Sequence, residues 1–244
     1  MLLIRVEMKY QQKKKSRIIS IFLSPALQFW LQSQLEQVEQ LKVYIEGSDN
    51  QTIQGKIPLV SIAASNVIFQ GLHLTEVKLS ATSIQINIGQ VMKGKPLKIL
   101  KSFPIFGQIK LLQSDLNISL ESGLFAQAII EFLTPLLPPD FLESLEQPIK
   151  LYDQKAEISI GNLSIFAKVM SKFGEKIPIN LHTDLKLATS CKLLLDNLKF
   201  QVLEHSNYDF SNTIKIDLGS DVKLQELTLE SGQLICQGSL IVKP

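Results

Sequence analysis

The chain has 244 residues, 45% hydrophobic and 20% charged, and its 25 basic and 23 acidic side chains leave a formal net charge of +2. That length and apolar content suffice for one large or two small globular domains with a sizeable core. The near-neutral balance excludes the strongly basic profile of a nucleic-acid binder, and Cys191 and Cys236 lack the close spacing of a metal site, so both read as free thiols inside strands.

Lys13, Lys14, Lys15 and Arg17 precede an apolar stretch from Ile18 to Leu31. As a helix that stretch reaches about 21 Å, short of the ~30 Å hydrocarbon core, and no small-residue cleavage site follows it. It is expected neither to span a bilayer nor to be removed as a signal, which suits a cytoplasmic or membrane-peripheral protein. Residues 1–17 read as a flexible basic tail and residues 18–244 as a single domain. From Ile18 to Val38 apolar residues recur every three or four positions, which predicts an amphipathic helix. Its main part is expected from Pro25 to about Glu39, with Ser24 as its cap.

Alternation of apolar and polar residues then takes over. Leu41 to Glu46 reads as a strand, Gly47 to Asn50 as a turn and Gln51 to Ile57 as the return strand. Pro58 to Phe69, Leu72 to Ser80 and Thr82 to Ile88 extend an antiparallel meander. The segment from Gly89 to Lys101 breaks the alternation and concentrates Lys93, Lys95, Lys98 and Lys101, after which Ile105 to Gln113 resumes it. A second helical region begins near Ser114 and Asp115, either of which suits a cap, with a break at Ser122-Gly123. Its part from Gly123 to Leu137 is apolar nearly all round, as in a helix buried in protein or lipid. Strands return from Glu157 to Val242.

Chemistry is sparse between these elements. His73, His182 and His205 are far apart, and the first two sit on the polar phase of strands, as exposed strand histidines do. No nucleophile elbow, phosphate-binding loop or zinc-protease helix is present, so the reading is of a chain without catalytic residues, metal or cofactor. Two regions suit a lipid surface. Lys13, Lys14, Lys15 and Arg17 followed by a helix with Phe22 and Trp30 combine cations with an apolar face, and Lys93, Lys95, Lys98 and Lys101 alternate with apolar side chains. The apolar helix offers Phe125, Ile129, Ile130, Phe132 and Leu133 either as core or as one wall of a lipid cavity.

Three extended segments carry a resemblance. They are Leu23-Ser24-Pro25-Ala26-Leu27 with Trp30-Leu31, Val43 to Gln51 with its Glu46-Gly47-Ser48-Asp49-Asn50, and Gln54-Gly55-Lys56-Ile57-Pro58 through Ser65. With Gln70 to Thr75, Ile88 to Leu97 and Ser114 to Asn117, they are similar to cyanobacterial members of the LmeA-like phospholipid-binding family. The similarity is dense from residue 23 to 120 and more diffuse beyond Pro148. It implies phospholipid as the ligand and a fold similar to the tubular lipid-binding proteins. That fold class is α+β, a strongly curved, mainly antiparallel sheet wrapped around two long apolar or amphipathic helices. The expected function is non-enzymatic phospholipid binding or transfer, with acyl chains between sheet and helices and peripheral contact with anionic membranes. The rival reading is a structural or scaffolding module whose dry core leaves an edge or helix to bind another protein. An enzyme acting on lipids would need a histidine to meet a carboxylate at a cavity mouth.

Overall fold

The computed structural model describes residues 19–91, 93–96, 98–202, 206–209 and 213–244, without the side chains of Ser20, Phe22 and residues 206–209. Strands β1 (Gln37–Glu46), β2 (Lys56–Phe69), β3 (Leu72–Gln85) and β4 (Phe103–Leu112) form an antiparallel meander. The chain then builds a second sheet from β5 (Leu151–Ser159), β6 (Asn162–Met170), β7 (Lys176–Thr189), β8 (Lys192–Val202), β9 (Ser206–Asp209) and β10 (Ile214–Asp217). It returns to the first sheet with the hairpin of β11 (Val222–Glu230) and β12 (Gln233–Val242). The first sheet is therefore ordered β1-β2-β3-β4-β12-β11, and the second β10-β8-β7-β6-β5 with β9 beside β8. The expected α+β, mainly antiparallel architecture is present, divided between two six-stranded sheets.

Alternation sets which face of the first sheet is covered. Register aligns Ile45, Val60, Ala81 and Ile105 in one cross-strand row and Val43, Ile62, Leu79 and Gly107 in the next. This face packs under Ile19, Leu23 and Leu27 of a π-turn (Ile19–Leu23) and helix α1 (Ser24–Gln34). Further along the same face, Leu111, Leu227, Leu229 and Leu234 join a larger core with the second sheet.

Helix α4 (Gln113–Leu120) joins the two sheets. Leu120 and Ser119 are fully buried, at 0% exposure. The edge strand β5 would leave amides unpaired where α4 crosses it, and α4 supplies the acceptors: Gln113 Oε1 accepts from Ile158 N–H at 2.8 Å, and Asn117 Oδ1 accepts from Ala156 N–H. On the other side Ser119 Oγ accepts from His73 N–H at 2.8 Å, and the Thr75 hydroxyl donates to Asp115. Helix α5 (Gly123–Leu133) follows after a break at Glu121-Ser122, with Ser122 Oγ accepting from Phe125 N–H at 3.4 Å. A 3-10 turn (Thr134–Leu136) and α6 (Pro139–Ser144) lead into β5.

Several expectations are corrected. Two long helices are not found among the described residues: α1 and α5 have 11 residues each and α4 has 8. Leu35 is extended and Gln37 to Gln40 pair with Ser65 to Ile68, so the helix expected to run to Glu39 yields to a β ladder. The π-turn runs straight into α1, and Ser24 makes no cap bond there; nor do Ser114 or Asp115 cap α4, whose N-cap is Leu112. The strand expected over Gln51 to Ile57 is instead helix α2 (Asp49–Ile53). Ser48 and Gln51 form a reciprocal capping box that captures the first-turn amides. Cys191 lies in the β7–β8 turn rather than in a strand, and both cysteines are free and half-buried. Helix α5 is less enclosed than its composition suggests: Ile129 and Leu133 are buried, whereas Leu124 is exposed.

Leu120→Ala removes a fully buried side chain at the joint between the sheets. It should destabilise the protein by about 2–5 kcal/mol in urea denaturation, and a loss below about 1 kcal/mol would mean that α4 does not hold the sheets together.

Candidate functional site

The face of the first sheet opposite α1 carries the polar phase of the same strands, and it is hollow. A groove of about 790 Å³ crosses it from β1 to β11. Two cross-strand rows line it. One runs Tyr44, Ser61, Ser80, Phe106; the other runs Lys42, Ala63, Lys78, Gln108, Gln237. Leu59 and Glu46 close it on the β1–β2 side and Gln225 on the β11 side. Ile62, Leu79, Gly107 and Gly238 also border it, and since alternation turns their side-chain positions to the other face, their backbone forms its floor.

Two close approaches shape that floor. A Cβ on Gly238 would stand 2.5 Å from the Lys223 carbonyl oxygen and 2.9 Å from Leu224 Cα; one on Gly107 would stand 2.9 Å from Leu79 Cδ2. Beside Gly238 the β11–β12 register shifts between Leu224 and Glu226, a bulge that leaves Gln225 unpaired at the groove. Tyr44 and Phe106 are exposed large apolar side chains on what alternation would assign to water. The groove therefore offers aromatic walls and two lysines. Lys78 pairs with Glu76 at 3.2 Å in the open, an interaction that solvent keeps weak, and no described carboxylate pairs with Lys42.

A second feature lies at the end of this sheet where β2 begins and β3 ends. Ile19 packs beside Gly47, and Gly55 beside Ile86 and Ile88, which brings together the π-turn, α2 and helix α3 (Ile88–Val91). Asn87, 8% exposed, anchors the segment that follows. Its Oδ1 accepts from Lys98 N–H at 2.6 Å, and its Nδ2 donates to the Pro96 carbonyl at 3.0 Å and to Gln90 Oε1 at 3.2 Å. Lys93, Lys95, Lys98 and Lys101 are all exposed on this segment and none pairs with a described carboxylate. On the second sheet Lys155, Lys168, Lys176, Lys186 and Lys192 have acidic partners, while Lys199 and Lys215 pair with no described carboxylate. Exposed Ile21, Ile53 and Leu100 belong to the same end.

The remaining expected residues fall as follows. Trp30 is 56% and Phe29 75% exposed on α1, while Leu23 of the π-turn and Leu27 of α1 pack inward. Phe22 lies in the π-turn with its side chain outside the description, and Lys13, Lys14, Lys15 and Arg17 lie outside the described residues. Ile129 and Leu133 belong to the larger core, Phe125 and Phe132 pack against it half-buried, and Ile130 is half-buried. None of these five lines the groove, nor the second depression of about 490 Å³ between β7 and β11. His73 and His182 sit on different sheets and His205 is outside the described residues. The His182 imidazole bonds the exposed Ser164 hydroxyl at 2.8 Å, on the open surface of the second sheet and outside both grooves.

Sequence reasoning missed Lys42, Tyr44, Leu59, Lys78 and Phe106 because it treated the polar phase of the strands as a solvated face. The signal was present: that phase carries Tyr44, Leu59, Ala63 and Phe106. A second signal is the absence of any Asp or Glu between Glu76 and Asp115, a stretch holding Lys78, Lys93, Lys95, Lys98, Lys101 and Lys110. No single described helix is long and apolar enough to cross a membrane. The segments 113–120 and 123–136 together reach that length but bend by 85° and contribute Leu116, Leu120, Ile129 and Leu133 to the core.

Comparison with known proteins gives one match. No curated protein and no solved structure matches the chain significantly. The model of the LmeA-like phospholipid-binding family matches residues 14–239, nearly the whole length and both sheets. The chain belongs to the LmeA-like phospholipid-binding family.

Proposed function

We propose that this protein is a peripheral carrier that binds phospholipid at the surface of anionic membranes and performs no catalysis on it. The observation that carries the membrane part is a local concentration of cations: Lys93, Lys95, Lys98 and Lys101, none with a described acidic partner, share one end of the first sheet with exposed Ile21, Ile53 and Leu100, within a stretch that holds no Asp or Glu between Glu76 and Asp115. Cations at the head-group level with aliphatic side chains just beyond them suit a bilayer surface. Each lysine near an anionic surface contributes about 1 kcal/mol, so Lys93, Lys95, Lys98 and Lys101 together supply up to about 4 kcal/mol. The tail residues Lys13, Lys14, Lys15 and Arg17 add to this attraction, and the exposed Trp30 and Phe29 give the adjoining helix an interfacial face. Helix α5 serves as core support, with Ile129 and Leu133 facing the packed interior.

Trp30 is the chain's one tryptophan and so reports directly. Its emission should shift to the blue on adding vesicles of phosphatidylglycerol and phosphatidylcholine. The shift should vanish near 1 M salt, where screening shortens to about 3 Å. The variant with Lys93, Lys95, Lys98 and Lys101 all changed to Gln should bind these vesicles at least tenfold more weakly. Equal binding to purely zwitterionic vesicles, or no binding at all, would contradict the proposal and favour a scaffold for another protein.

Asn87→Ala leaves the Lys98 amide and the Pro96 carbonyl without their partner, a local cost of about 1–3 kcal/mol. Hydrogen exchange at the Lys98 amide should accelerate while β6 to β8 keep their protection, and vesicle affinity should fall with it. Unchanged exchange at Lys98 would show that Asn87 does not set the segment's shape.

A further inference from the structure

We infer that the groove across the first sheet is the seat of a single phospholipid molecule, with the phosphate between Lys42 and Lys78 and an acyl chain along the wall of Tyr44, Leu59 and Phe106. This assignment rests on the phospholipid reading above and gives it a location. Lys42, Ala63 and Lys78 are consecutive members of one cross-strand row, so the two lysines stand about 10 Å apart at their Cα atoms, on either side of the smallest side chain in that row. Two flexible ammonium groups reaching inward over Ala63 meet at the point where a phosphate fits. Neither cation is neutralised in the interior of the sheet: Lys42 has no described acidic partner, and the Lys78–Glu76 pair is solvent-exposed.

The neighbouring row repeats the plan with different chemistry. Tyr44 and Phe106 stand three strands apart, roughly 14 Å, with Ser61 and Ser80 between them. That interval is close to the depth of one leaflet, about half of the ~30 Å hydrocarbon core. The two serines put hydroxyls under the ester region, and the aromatic rings and Leu59 cover the first part of a chain. A volume of about 790 Å³ falls within the range of small-ligand sites. An anionic head beside an aliphatic chain matches this combination; inorganic phosphate would leave the aromatic wall in water.

The full chain should be equilibrated with dioleoyl phosphatidylglycerol in mild detergent and examined by native mass spectrometry. The expected result is one lipid per chain. Ala63→Phe, a residue well suited to a strand, fills the space between the lysines, and K42Q/K78Q removes the cations. Each should lower lipid occupancy at least tenfold while leaving the urea midpoint and vesicle association unchanged. Conversely, the variant with Gln at 93, 95, 98 and 101 should lose vesicle association and keep the bound lipid. Undiminished occupancy in both Ala63→Phe and K42Q/K78Q overturns the groove assignment but not phospholipid binding. No lipid on the unaltered chain overturns both. Stabilisation by inorganic phosphate equal to that by lipid, or a dimer that Ala63→Phe abolishes, identifies another occupant and overturns the assignment.

Discussion

The pairing of the last strand with the fourth is the constraint on which the rest of the molecule depends. Ten register pairs, from Gln233 with Leu112 to Val242 with Phe103, carry the C-terminal hairpin back across the whole intervening second sheet to complete the first. Without β12 and β11 the meander would end in an open edge at β4, and the groove would lose Gln237, Gly238 and Gln225. The same hairpin fastens the two sheets: the Gly232 amide donates to the Ile158 carbonyl, its own carbonyl accepts from Gln113, and the Leu229 carbonyl accepts from Gly161 N–H. Long-range closure of this kind gathers slowly but places residues from both ends of the chain in one surface.

Two glycines make that closure compatible with a hollow face. Gly238 lets β11 approach so closely that any Cβ would strike the Lys223 carbonyl, and the bulge next to it directs Gln225 toward the groove. Gly107, its partner in the ladder, leaves room for Leu79 on the covered face. The covered face is anchored by apolar burial under the π-turn and α1, and the opposite face is free to be shaped by small residues, Ser61, Ala63 and Ser80, between larger ones. Five lysines of the second sheet pair with Asp153, Glu157, Asp184, Asp196 and Asp217, and Lys78 of the first with Glu76, whereas Lys93, Lys95, Lys98 and Lys101 have no described acidic partner.

Much of this was legible in the sequence. Period-two alternation located most strands of both sheets, and the Ser122-Gly123 break marked where the helical region is divided. What failed did so for identifiable reasons. Leu35 and Val38 fit a helical stripe and a strand equally well, and only pairing with β2 decides between them. Ser48 and Gln51 have the spacing of a capping box, which the alternation around them masks. The separation into two sheets and the insertion of β12 beside β4 are long-range pairings that no local pattern encodes. The lysine segment was legible as a cluster, but its anchoring on a buried Asn87 was not. The groove was hidden because alternation separates two faces without saying which of them is hollow.

The central claim is that phospholipid meets this protein on the polar-phase face of the first sheet rather than beneath α5. Photo-crosslinking with a phospholipid carrying a diazirine on its acyl chain, followed by peptide mapping, tests it most directly. The account predicts adducts on the peptides containing Tyr44, Leu59 and Phe106. Adducts concentrated on Phe125 to Leu133 would contradict it.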